Sequence, residues 1–119
     1  MRDFVFAGVR KSSYPDPPYH PPLDYPEFRG LIKGRDPQNE VYGAVRDVLL
    51  ASGYDPGNAG TDRWNPFRGL VTDGQAVLIK PNLVMHESNL LRGSNCLATH
   101  ASVIRPLLDY LWLLAKTEG

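Results

Sequence analysis

The feature that most constrains this chain is a continuous apolar run at residues 76–79, which stops abruptly in the turn Lys80-Pro81-Asn82. Four to six apolar residues without alternation are typical of a strand that is buried on both faces of a parallel sheet. In such sheets ligands bind just beyond the carboxyl ends of the strands. The run therefore predicts an α/β fold with a site that begins at Lys80.

Periodicity and punctuation divide the rest of the chain into a β-α-β-α order, with right-handed crossovers expected. This order corresponds to a partial three-layer sandwich with a mostly parallel, incomplete sheet. We expect residues 1–119 to form a single, partial α/β domain that is the front part of a larger one. The predicted elements are a strand at 4–9, a helix from the cap Asp36-Pro37 to Gly53, a strand at 76–80 and a helix at about 101–116 that is capped by Thr99.

Residues 11–35 form a proline-rich and aromatic extended arm within this domain, because six of the eleven prolines fall between Tyr14 and Pro26. Proline removes backbone donors and fixes φ, so the segment is neither a helix nor a central strand. One interpretation is a recognition sequence for another protein's aromatic groove. The favoured one is an arm pinned to its own domain by its rings, since large aromatic side chains are costly to expose.

Composition excludes several classes of partner. Thirteen basic residues balance thirteen acidic ones, so no global field attracts nucleic acid or an anionic membrane. No apolar run has the roughly eighteen residues needed to span a bilayer, and the start does not have the pattern of a signal peptide. Cys96 is the only cysteine, so an internal disulfide and an iron–sulfur cluster within this chain are not expected. We expect a soluble, cytoplasmic protein.

Three stretches suggest a family: residues 77–86 (VLIKPNLVMH), 96–105 (CLATHASVIR) and 108–110 (LDY). Together they resemble the amino-terminal part of the family called domain of unknown function 362, over roughly residues 41–119. Members of that family are usually several hundred residues long, and many carry a ferredoxin-like cluster domain. The resemblance implies that this chain is a truncated member. The resemblance implies a type of fold, but it does not imply a particular reaction.

The polar residues that follow the predicted strand form a candidate anion site. Thr99 and His100 open the last helix, whose free N–H groups and positive dipole end favour a phosphate or carboxylate. Lys80 would supply a point charge, and Asn82 an orienting amide. The alternative is that Lys80 is merely exposed, that Asn82 bonds its own turn and that Thr99 acts only as a helix cap.

Two further hypotheses involve the histidines and the cysteine. His86, Cys96 and His100 together offer the imidazole and thiolate ligands that suit zinc or another late transition metal. Cys96 could instead act as a nucleophile with His100 as its base. A small buried thiol and hydrogen-bonded histidines are the commoner outcome. No catalytic residue is assigned, and whether the protein is an enzyme is left open.

Two functions of different kinds therefore stand side by side. The first is a ligand-binding domain that takes an anionic small molecule or phosphate at the carboxyl end of the strand at 76–80. The second is a non-catalytic interaction module, or truncated fragment, whose exposed sheet edge pairs with a partner or with a second copy. A buried strand also predicts that Leu78→Ala lowers the free energy of unfolding by about 2–5 kcal/mol.

Overall fold

The computed structural model describes residues 13–83 and 98–118, and the regular structure in these ranges is helical. Helix α1 spans Glu40–Ala51 and helix α2 spans Ala101–Glu118, and the two helices pack against each other. Short 3₁₀ turns at Pro26–Phe28 and Pro56–Asn58 shape the loops that precede and follow α1. Neither helix combines the length and apolarity that crossing a lipid bilayer requires.

The predicted α/β sandwich with a parallel sheet is wrong for the part of the chain that the structure describes. Residues 13–83 and 98–118 contain no strand, only the isolated bridges Arg68–Val71 and Leu83–Ala98. The apolar run at 76–80 lies outside any strand, and its Leu78 side chain is 88% exposed. A strand requires a neighbour to complete its backbone hydrogen bonds, and a local pattern of apolar residues does not supply one. The predicted first strand at 4–9 lies outside the described residues.

Helix α1 starts later than the sequence predicts, because Asn39 rather than Asp36 caps it. The Asn39 Oδ1 atom accepts a hydrogen bond of 3.0 Å from the Tyr42 amide, which is otherwise unsatisfied in the first turn. Asp36 instead accepts from the Gln38 amide in the preceding turn, over 3.1 Å. At the other end Gly53 has a φ of +78°, and its amide bonds the Leu50 carbonyl. The predicted stop at Gly53 is confirmed.

Asn39 also ties the arm to α1, since its Nδ2 group donates to the His20 carbonyl over 2.8 Å. We expect Asn39→Ala to lower the free energy of unfolding by about 1–2 kcal/mol, through the lost cap and the unpaired carbonyl. Urea denaturation measures this effect. Gln38→Ala, at the exposed neighbouring position, is the control and is expected to stay within about 0.5 kcal/mol of wild type. Equal effects from the two variants would contradict the role of Asn39.

The core is built mainly from aromatic rings, two of which come from the proline-rich arm. Phe28 lies edge-on to Tyr42 with ring centroids 6.1 Å apart, and Trp64 lies edge-on to Tyr110 at 5.4 Å. Such pairs add to the free energy gained by burying the rings themselves. Tyr25 completes the cluster from the arm. The arm is therefore held by its own domain, as the favoured interpretation of its aromatic residues expects.

Candidate functional site

Asn82 and Thr99 are paired with each other at the entrance to α2. The Thr99 amide donates to the Asn82 carbonyl over 2.7 Å, and the Thr99 hydroxyl accepts from the Asn82 amide over 3.1 Å. The next contact along is the Leu83–Ala98 bridge. These bonds hold the two ends of the 84–97 connection together. Thr99 therefore links two backbone segments through hydrogen bonds and is not the cap of the helix.

His100 takes the capping role that the sequence gives to Thr99. Its Nδ1 atom accepts a hydrogen bond of 3.2 Å from the Ser102 amide and lies 2.8 Å from the Ser102 hydroxyl. The arm covers the imidazole, since the Tyr14 ring stacks on it at 3.9 Å and Tyr19 meets it edge-on at 5.7 Å. A ring nitrogen that accepts from an amide leaves only Nε2 for any other partner. His100 is thus built into the junction between the arm and α2.

Three of the four residues predicted to bind an anion therefore lie at one junction, where Asn82 and Thr99 bond each other and His100 bonds Ser102. Lys80 is exposed, and no hydrogen bond or ion pair joins it to Asn82, Thr99 or His100 in the structure. The helix start is closed by its own cap and by the tyrosine rings of the arm. Anion binding by these four residues stays a prediction.

The metal hypothesis falls mostly on residues whose placement the structure does not describe. His86 and Cys96 both lie outside the described residues, which leaves His100 as the single member of the set that can be located. Within residues 13–83 and 98–118 no group of three histidine, cysteine or carboxylate side chains is arranged to hold a metal ion. The metal site and the Cys96 nucleophile therefore stay predictions.

The segment 75–80, from Gln75 to Lys80, is largely exposed, and beyond Gln75 its backbone has no partner among the residues that the structure describes. Its first amide bonds the Thr72 carbonyl, but from Ala76 to Lys80 no backbone hydrogen bond to another described residue is present. The Val77 side chain is 49% exposed, against 88% for Leu78. An exposed apolar segment whose backbone groups have no partner among the described residues is a template for another strand.

An apolar groove of about 420 Å³ runs beside this segment and ends on α2. The turn at 72–75 forms one of its walls, and Val77 reaches it from the segment itself. Val77 lines the groove, whereas Leu78 is not among its lining residues. The groove is lined by apolar side chains from the segment, the preceding loop and α2: Val71, Val77, Leu111, Leu114 and Ala115.

A buried ion pair in the core is a further cluster of charge that sequence patterns do not reveal. Glu27 is 1% exposed and accepts from the Arg46 guanidinium at 2.7 and 2.9 Å and from the Tyr110 hydroxyl at 2.6 Å. Burial, and next the Glu27 charge, raise the pKa of Tyr110 far above its ordinary value, so this phenol stays a donor. Arg46 also lies over the Tyr25 ring at 4.1 Å.

A second carboxylate, Asp109 on α2, forms a similar group. Asp109 accepts from the Tyr42 hydroxyl at 2.7 Å and from Arg105 at 2.9 and 3.0 Å. Burial, followed by the Asp109 charge, raises the pKa of Tyr42 well above its usual range. Arg105 also donates to the Pro18 carbonyl over 2.6 Å, which ties the arm to α2. Both groups are satisfied internally, and they hold the scaffold together instead of presenting a reactive centre.

Comparison with known proteins identifies no relative of this chain. No protein-family model, no curated protein and no solved structure matches the chain. The resemblance to domain of unknown function 362 stays a prediction. Any function must therefore be argued from the segment 75–80, the apolar groove and the charged clusters themselves.

Proposed function

We propose that this chain is a non-catalytic interaction module that pairs with a second copy of itself through segment 75–80. The observation that carries the proposal is the exposure of Leu78, at 88%, in a segment whose backbone from Ala76 to Lys80 bonds no described residue. An apolar strand edge left in water promotes pairing with another chain, and native proteins usually cover or charge such edges. Pairing between two copies would cover Leu78 and the rest of segment 75–80.

The residue types of the segment favour β pairing over a side-chain contact alone. Val77 and Ile79 are β-branched residues, which pack well on a pleated surface. Strand addition supplies affinity through main-chain hydrogen bonds and specificity through alternate side chains. The backbone from Ala76 to Lys80 offers such main-chain donors and acceptors. The segment therefore has both components of this recognition mode.

A second copy suits the segment because its sequence is self-complementary in one antiparallel register. With Leu78 opposite Leu78 of the second copy, Val77 faces Ile79 and Ala76 faces Lys80 at both ends. The lysines of the two copies do not oppose each other, which avoids a like-charge pair. The formal net charge of zero adds no long-range repulsion between copies.

The apolar groove extends the same interface. Val77 lines the groove, so an Ile79 side chain opposite it in the paired strand would lie on the groove side of the ribbon. Leu111 and Leu114 would then be covered together with the strands, which adds apolar burial to the backbone pairing. We place this module in the cytoplasm, because a chain with a single cysteine gains nothing from an oxidising compartment.

The oligomeric state tests the proposal directly. We expect wild type to form dimers at micromolar concentration in sedimentation equilibrium, and Leu78→Lys to weaken the dimer by about a hundredfold. Two lysines would face each other at the centre of the pairing, and the Leu78 contact would be lost. Leu23→Lys, at a leucine of the arm that is 60% exposed, is the matched control and should dimerise as wild type does.

The same variants separate pairing from folding. Because Leu78 is exposed, Leu78→Ala is now expected to change the free energy of unfolding of the dilute monomer by less than about 0.5 kcal/mol, and not by the 2–5 kcal/mol that a buried strand predicts. A wild-type chain that stays monomeric up to about 500 µM would overturn the proposal, because a dissociation constant above that value is weaker than that of almost any functional dimer. Equal weakening by Leu23→Lys would do so as well.

A further inference from the structure

Three arginines converge on a cleft beside the carboxyl end of α2. The cleft has a volume of about 250 Å³, and polar groups line almost all of it. It lies between the turn that follows Phe28, the loop between the two helices, and the last turn of α2. Its lining residues are Arg29, Asn58, Arg63, Arg68 and Thr117. No carboxylate of a described residue belongs to this lining.

Backbone contacts hold two of the three guanidinium groups in place. Arg29 follows a 3₁₀ turn with a φ of +51°, and its Nε atom donates to the Asp62 carbonyl over 2.8 Å. Arg68 donates from Nη2 to the Arg63 carbonyl, so it crosses the loop that carries Arg63. These bonds fix the direction of each side chain. The terminal nitrogens of Arg29 lie beyond its tethered Nε, so they are the part of the fork that reaches furthest from the backbone.

Only one of the three positive charges has a carboxylate partner within the described residues. Arg68 pairs with Asp55 over 3.1 Å, and Asp55 also accepts from the Asn58 side chain at 2.8 Å and the Asn65 amide at 3.0 Å. Burial alone would raise the pKa of Asp55, but these hydrogen bonds outweigh it and lower the pKa below its ordinary value. Asp55 is thus a fully used anion behind the cleft, and it leaves Arg29 and Arg63 uncompensated.

Arg63 is the group most available to a ligand. Its backbone amide bonds the Thr61 hydroxyl, but its guanidinium makes no hydrogen bond or ion pair with any described residue. The carboxyl end of α2 at Thr117 contributes a partial negative charge of roughly half a unit. The guanidinium groups of Arg29 and Arg63 exceed this, so the described residues of the lining carry a net positive charge.

We infer that this cleft binds a phosphate group, as inorganic phosphate or as a small phosphomonoester. Guanidinium groups present planar forks that match the oxygens of phosphate, and several converging forks distinguish it from a singly charged carboxylate. A volume of about 250 Å³ holds a phosphate with a small organic group, and it lies below the usual range for larger ligands. This site contains no residue of segment 75–80, although Arg68 lines both the cleft and the apolar groove.

Thermal unfolding of the full chain in sodium phosphate tests the site. Ionic strength is held constant with sodium chloride, so that screening does not change between samples. We expect phosphate at about 20 mM to raise the midpoint of wild type by a few degrees, because a ligand that binds only the folded state stabilises it. Arg63→Gln should weaken phosphate binding about tenfold, the loss expected for one charge-assisted contact. Glycerol phosphate in a parallel titration distinguishes a phosphomonoester from the free ion.

Matched variants make the outcome decisive. Lys33→Gln removes one positive charge at an exposed position outside the cleft lining, and it should respond to phosphate as wild type does. Because Arg63 has no side-chain partner in the described residues, its replacement should leave the midpoint without phosphate unchanged. A midpoint of thermal unfolding that does not change with phosphate in wild type would overturn the inference. A phosphate response that persists in full in Arg63→Gln would overturn it too, since a general salt effect acts on both.

Discussion

Glu27→Gln is expected to lower the free energy of unfolding by about 3 kcal/mol or more, because it removes one partner of a buried ion pair. Gln keeps the shape of Glu27 but removes its charge, which leaves the Arg46 guanidinium without its counter-ion. Arg46 is only 16% exposed, so water does not replace the lost partner. The Tyr110 hydroxyl also loses a charged acceptor at 2.6 Å. Urea denaturation at low protein concentration gives the measurement.

A surface ion pair provides the control for this prediction. Asp24 and Arg35 lie 2.9 Å apart, but the Asp24 side chain is more than half exposed. Asp24→Asn should therefore cost less than about 1 kcal/mol, because solvent screens the pair. If the two variants destabilise the protein equally, the Glu27–Arg46 pair is not the buried anchor that its geometry indicates. Additional replacement of Arg46 by Met should recover part of the loss in Glu27→Gln, since it removes the stranded charge.

The helices were the part of the fold that local sequence could predict. Apolar spacing found both α1 and α2, because a helix satisfies its backbone within one segment. Val41, Val45, Val48 and Leu49 recur at helical spacing in α1 and line a cleft between the two helices. Val41 is buried and Leu49 packs against the core, to which α1 also contributes Tyr42. The start of α1 was misplaced for a local reason. Asp36 and Asn39 are both good caps, and Asn39 has the additional bond to His20.

The strand failed for a reason that sequence patterns do not carry. The composition of residues 76–80 indicates that the run would be stable if it were covered on both faces, but a sheet also needs neighbouring strands, and pairing is a long-range property. The structure leaves Leu78 in solvent. The same apolar residues that suggested a buried strand therefore suggest an interface between copies. The need to cover them is unchanged, but a second copy of the chain would cover them instead of neighbouring strands of the same chain.

The charged clusters were invisible for a related reason. Glu27 and Tyr110 are 83 residues apart in the chain, and Arg29 meets Arg63 and Arg68 only through the folded loop. No spacing or motif in the sequence predicts clusters of residues that lie so far apart along the chain. Anion binding by Lys80, Asn82, Thr99 and His100 stays a prediction, although Asn82, Thr99 and His100 lie at one junction because they flank one connection. Of the alternative, only the exposure of Lys80 is seen, since Asn82 bonds Thr99 instead of its own turn and His100 takes the capping role given to Thr99.

Gly34→Ala is expected to lower the free energy of unfolding by about 3 kcal/mol, through backbone strain and a steric clash that add together. Gly34 has a φ of +86°, a conformation that L side chains rarely adopt. A Cβ atom at this position would lie 2.5 Å from the His20 ring, whose face covers the glycine. The backbone of His20 is held by Asn39, so the residue cannot shift as a whole without breaking the link between the arm and α1.

Gly30→Ala separates the two causes. Gly30 has a similar φ of +71°, but nothing lies within 4 Å of the position that its Cβ atom would take, so its substitution measures the backbone cost alone, about 1 kcal/mol. Chemical denaturation of both variants should show Gly34→Ala as the more destabilised by about 2 kcal/mol. His20→Ala combined with Gly34→Ala should cancel most of this difference, because it removes the ring that the Cβ meets. If Gly34→Ala is no worse than Gly30→Ala, the His20 ring does not lie over Gly34, and the arm does not pack against its own turn in this way.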